Sequence, residues 1–88
     1  MTEYVYADSS YEERTGIDAQ TAGTELARIK GEHGTLTPAT VVDESRPEEA
    51  PLHPVFEWRD PVAAEQWREH QAASLIKRVR VVPAPMHD

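Results

Sequence analysis

Apolar residues first fall into a helical rhythm after Asp18. Ala19, Ala22, Leu26 and Ile29 recur at spacings of three and four, which lines one face of a helix. Asp18 is a good N-cap and Gly34 a natural left-handed stop, so the pattern predicts a helix over 19–32. Gly23 and Gly31 should weaken it by about 1 kcal/mol each relative to alanine. The next start is sharper. Thr37 can cap, Pro38 suits the first helical position, and Leu36 can staple onto Val41. This second helix, 38–45, must stop before Pro47, because Arg46 is pushed out of helical geometry by the proline after it. It buries Val41 and Val42, and a helix so short persists only when packed. Asp60 and Pro61 open a third and longest helix, 61–77, with apolar positions at Ala64, Ala72, Leu75, Ile76 and Val79, and Trp67 on the flank. That stripe drifts around the helix, which calls for two packing neighbours.

Both ends of the chain switch to a period of two. Glu3 to Ala7 places two tyrosines on one face, and Arg78 to Val82 alternates until Pro83. The latter segment reads either as a last helical turn or as a strand. A lone strand needs a partner. Pairing with residues 3–7 would form a ribbon between the termini and set an acid against Arg80; pairing with another protein's sheet edge, or with a second copy, is the alternative. Residues 8–16 carry no periodicity and read as a linker, and 47–54, with three prolines, as an extended loop. The fold expected is therefore mainly α: a small three-helix domain over 18–82, a flexible N-terminal segment over 1–17 with a short strand, and a disordered tail over 83–88. Its core should hold Leu26, Ile29, Leu36, Val41, Val42, Phe56, Trp58, Trp67, Leu75 and Ile76.

Composition narrows this to one domain with a modest core. In 88 residues there are four Leu, three Ile, eight Val and one Phe, a share near the range where chains become disordered. Two Trp and three Tyr pull the other way. The formal charge of -7 is local: residues 1–57 hold 12 acids against 4 bases, and residues 58–88 hold 4 against 5. Such a dipolar surface is compatible with a partner, although a solvated acidic face is the plainer explanation of the acids. No apolar run is long enough for a membrane span, and the acidic start lacks the features of a signal peptide, so a non-membrane, intracellular protein is expected.

Little in the chain points to catalysis. There is no cysteine, hence no disulfide, thiolate metal site or cysteine nucleophile. His33, His53, His70 and His87 never pair at helical spacing, so no metal site is expected. Glu65 and Glu69 share a helix face but lack a pocket to separate their acidities. The serines have no nucleophile-elbow setting, and the glycines match no phosphate-binding loop. The expectation is no enzyme and no cofactor.

Two binding roles remain. The helices 19–32 and 38–45, joined by a glycine-containing turn, resemble helix-turn-helix spacing, which would make the chain a small DNA-binding regulator. The recognition helix would then carry Asp43 and Glu44 toward phosphates, which costs affinity. Nucleic acid is therefore disfavoured. A protein partner or self-association fits better, with Trp58, Arg59, Trp67, Arg68, Lys77, Arg78 and Arg80 as interaction candidates. Aromatics of this kind are enriched at binding hot spots, although a core poor in aliphatics also needs them inside.

One longer pattern stands out: Leu36-Thr37-Pro38, Val41-Val42, Pro51-Leu52-His53, Phe56-Glu57-Trp58, Gln71-Ala72 and Leu75-Ile76. Over residues 18–82 this resembles a group of short bacteriophage and prophage proteins. The resemblance implies a bacterial host cytoplasm or a virion as the setting. It also implies a small accessory role. Joined to the protein-binding reading above, the expectation is a non-enzymatic accessory protein acting through protein contacts, in particle assembly or on a host or phage factor.

Overall fold

The computed structural model describes residues 2–8, 10–58 and 64–82. Its elements follow the order strand β1 (Tyr4–Tyr6), helices α1 (Tyr11–Thr15), α2 (Ala19–His33), α3 (Pro38–Glu44) and α4 (Ala64–Arg78), then strand β2 (Val79–Val81). The three expected helices are present, and the chain ends do form a ribbon. β2 pairs antiparallel with β1, Tyr4 opposite Val81, Val5 opposite Arg80 and Tyr6 opposite Val79. The residue facing Arg80 is thus Val5 and not an acid. α4 passes directly into β2, where Val79, Val81 and Val82 favour extended backbone over another helical turn.

The caps behave as their chemistry requires. Asp18 accepts the Thr21 amide at 3.0 Å and its hydroxyl at 2.8 Å. Thr37 accepts the Thr40 amide, with Pro38 in the first turn. Gly16 and Gly34 end α1 and α2 at φ 75° and 77°, a left-handed geometry that side chains resist. Asp60 and Pro61, expected to open α4, lie outside the described residues, as do Arg59 and the tail 83–88.

Two segments carry more structure than their sequence advertises. Residues 8–16, expected as a linker, contain α1. Asp8 organises its start by accepting the amide and hydroxyl of Ser10. Tyr11 then buries its ring against Tyr6, centroids 5.0 Å apart and edge-on. The proline-rich stretch 47–54 is not extended either. Turns lead into a 3-10 helix at His53–Val55, and Leu52 is fully buried. Prolines fix φ near the value such turns need, so they shape the loop and do not straighten it.

The core gathers Leu26, Ile29, Val41, Val42, Phe56 and Leu75, with Leu36, Trp58 and Ile76 packed at its margin. Tyr11, Ala22, Leu52, Val55 and Ala72 join them. Trp67 does not: it is 52% exposed, because the α4 stripe turns its buried side through Arg68, Ala72 and Leu75. Gly23 also takes on a different meaning. A Cβ there would lie 2.0 Å from Cγ of Tyr4, so the missing side chain is what lets β1 lie on α2.

Candidate interaction surfaces

The named aromatic and basic residues separate into a built-in group and a displayed group. Trp58 belongs to the first. Its indole Nε1–H donates to the His53 carbonyl at 2.8 Å, and the two rings stack 4.9 Å apart with planes 6° from parallel. Phe56 lies against it at 5.8 Å. The guanidinium of Arg68 sits 4.7 Å from the ring centroid and that of Arg46 at 5.9 Å. The imidazole is itself anchored, since Nδ1 can only donate to the Ser45 carbonyl, 2.9 Å away.

Arg68 is equally committed to the interior. Only 5% exposed, it donates Nε–H to the Glu57 carbonyl at 2.9 Å and Nη1–H to Glu65 at 3.0 Å. Glu65 also receives Arg46, which in turn reaches Asp43 at 3.0 Å. These carboxylates, Asp43 first, raise the Arg46 guanidinium above its ordinary value. Arg68 is therefore a joint between α4 and the 55–58 segment, not a group presented to a partner.

Arg78 is half-buried, its guanidinium 5.1 Å from the Tyr11 ring while Arg14 approaches that ring at 5.3 Å. It also donates to the Ser74 hydroxyl. Burial raises the Tyr11 phenol, opposed by the positive charge of Arg78. Arg80, on the ribbon, folds back to the carbonyls of Lys77 and Val79.

Trp67 and Lys77 remain on display. Trp67 stacks loosely on His70, centroids 5.5 Å apart. Farther along α4, His70, Ala73, Ser74, Lys77 and Arg78 line an open groove. Among the residues of this helix whose side chains are described, the exposed positions are Gln66, Trp67, His70 and Lys77, a mixed aromatic and polar face and not a basic one.

The putting-together of α2 and α3 bears on the nucleic-acid expectation. Arg28 forks onto the buried carboxylate of Glu25 at 2.6 and 2.7 Å and reaches Glu44 on α3 at 3.1 Å. Glu44 thereby ties the two helices together, and Asp43 is held by Arg46. α3 buries Val41 and Val42 and offers no base of its own.

Comparison with known proteins gives no match. No protein family, curated protein or solved structure resembles the chain beyond chance. Among the described residues, no cluster of three or more potential ligands could hold a metal ion. No helix among them is long and apolar enough to cross a membrane.

Two glutamines with structural roles escaped the sequence reading. Gln20 accepts the Tyr4 amide at 3.1 Å and donates to the Thr2 carbonyl at 2.9 Å, standing where another strand would stand beside β1. Gln71 does the same for the 55–57 segment, accepting the Glu57 amide and donating to the Val55 carbonyl, both at 3.4 Å. The only hint in the sequence is a glutamine on the margin of each apolar stripe.

Proposed function

We propose that the chain is a non-enzymatic accessory protein of the phage type that acts through protein contacts, in particle assembly or on a host or phage factor. The observation that carries this reading is Trp67, half exposed on a mixed face of α4 while Tyr6, Tyr11, Phe56 and Trp58 lie in the core or pack against it. An indole held in water on a rigid helix offers a partner a large apolar area at small entropic cost. The sequence pattern over residues 18–82 adds the phage setting, in a bacterial cytoplasm or a virion.

The test compares the protein with Trp67→Ala as baits in lysate from phage-infected bacteria. Discrete proteins should be retained by the first and lost from the second, with both baits equally folded by circular dichroism. Equal retention by the two baits would remove Trp67 from the reading. A mobility shift of random duplex at low salt, fading as salt is raised, would instead favour the DNA-binding alternative.

A further inference from the structure

The β1–β2 ribbon has two edges, and they are finished differently. The bonds from the Ala7 amide to the Arg78 carbonyl (2.7 Å) and from the Val82 amide to the Glu3 carbonyl (2.8 Å) fix which residues pair through hydrogen bonds. By alternation, Tyr4 opposite Val81 and Tyr6 opposite Val79 turn their amides and carbonyls outward. On the β1 side, Gln20 takes the Tyr4 amide. On the β2 side, among the described residues, the Val79 carbonyl is met by the exposed, flexible side chain of Arg80, and Val81 is 59% exposed. On the β1 edge a helix side chain takes the Tyr4 amide; on the β2 edge a cation that can swing away meets the Val79 carbonyl.

Beside the open edge runs an apolar groove of about 280 Å³, floored by Gly23 and Leu26 and walled by Leu36, Ile76, Val79 and Val81, with Lys30 its one charged lining residue. Val79 and Val81 point to the groove side of the ribbon, with Tyr4 on Gly23, while Val5 and Arg80 point to the other. A strand added to β2 would therefore drop every second side chain toward the groove and set the intervening one beside Arg80.

From this we infer that β2 captures an extended segment of another protein in which apolar residues flank an acidic one, the acid replacing the Lys77 and Val79 carbonyls as the partner of Arg80. The charges choose this occupant over a second copy. In an antiparallel β2–β2 pair, the register that pairs the whole strand, Val79 with Val81, sets Arg80 against Arg80, and one matching Val79 with Val79 sets Arg78 against Arg80. One matching Val81 with Val81 avoids this but leaves Val79 unpaired within the strand. Like charges directly opposite are unfavourable. The inference rests on the reading of the chain as a protein-binding module but uses a face separate from Trp67, so either can fail alone.

The probes are short capped peptides alternating valine with glutamate, or valine with lysine, titrated into the full chain and followed by amide NMR. The glutamate peptide should slow hydrogen exchange at the Val81 amide and bind roughly three- to tenfold more tightly than the lysine peptide. Arg80→Glu should reverse that preference. Val81→Pro removes an amide the β1–β2 ladder does not use, a substitution edge strands tolerate. It should abolish peptide binding while leaving Trp67-dependent capture and the thermal midpoint in place. Equal binding of both peptides, no protection at Val81, or a dimer whose Val81 amide is protected without peptide would each overturn the inference.

Discussion

Trp58 and Trp67 are nine positions apart and chemically identical, yet one is fastened on every side and the other stands in solvent. Trp58 closes a unit assembled from four regions: Ser45 after α3, His53 in the 3-10 turn, Arg68 on α4, and its own strand-like segment. Among the described residues, Trp67 makes one ring contact, with His70 of its own helix. The difference is geometric. Trp58 follows Phe56 in a segment that Gln71 pins across α4, whereas Trp67 sits one helical position from the buried Arg68 and so faces outward. Burial of an aromatic here reflects where the backbone aims it, not its hydrophobicity.

The largest test of that contrast is truncation of each ring. Trp58→Ala should cost about 3 kcal/mol, through lost packing and through Arg68 left beside a void. Trp67→Ala should stay within about 0.5 kcal/mol, as exposed substitutions do. Urea unfolding of the two variants checks both values. Equal losses would show that Trp67 helps hold α4 in place and would weaken its assignment to a partner.

Much of the frame was legible in the sequence because it depends on local rules. Asp18, Thr37 with Pro38, and Gly34 specify helix ends within one turn of themselves, and the alternation near each terminus specified strands. What escaped depends on contacts between distant residues. α1 is five residues long and has no stripe; Tyr11 makes it worthwhile only because Tyr6 and Arg78 enclose its ring. Leu52 lies among prolines and shows no periodicity, and its burial follows from the turn that folds it back. For the interaction candidates the lesson is similar. Arg68 and Trp67 are adjacent and look alike as exposed-helix residues, but a shift of one position decides which becomes structural.

Glycines extend the same comparison at a smaller scale. Gly23 and Gly31 lie in one helix and carry the same intrinsic penalty, yet only Gly23 has a neighbour, the Tyr4 ring. Gly31→Ala should stabilise by about 0.5–1 kcal/mol, since a Cβ there meets nothing. Gly23→Ala should destabilise by about 1–3 kcal/mol despite the better helix former, because the strand must lift away. Thermal unfolding distinguishes the two signs. A stabilised Gly23→Ala would mean that the ribbon is not seated on α2, and the groove beside β2 would lose its floor.

The tyrosines of β1 carry the comparison to a subtler readout. Tyr6 donates its hydroxyl to the Ile17 carbonyl at 2.7 Å, and burial raises its pKa to about 12. A folded-state pKa above the unfolded value means stability that is complete below about pH 10 and is lost as pH rises toward 12. Unfolding then releases a proton that the native ring retains. The ribbon should accordingly loosen in this alkaline window, and Tyr6→Phe should remove that part of the pH dependence while costing the Ile17 hydrogen bond at neutral pH. Tyrosinate absorbance followed alongside circular dichroism separates ionisation from unfolding. If Tyr6 ionised at its ordinary value with the fold intact, its hydroxyl would be open to solvent, and β1 would be held by its pairing with β2, Gln20 and the Tyr4–Gly23 contact without the bond to Ile17.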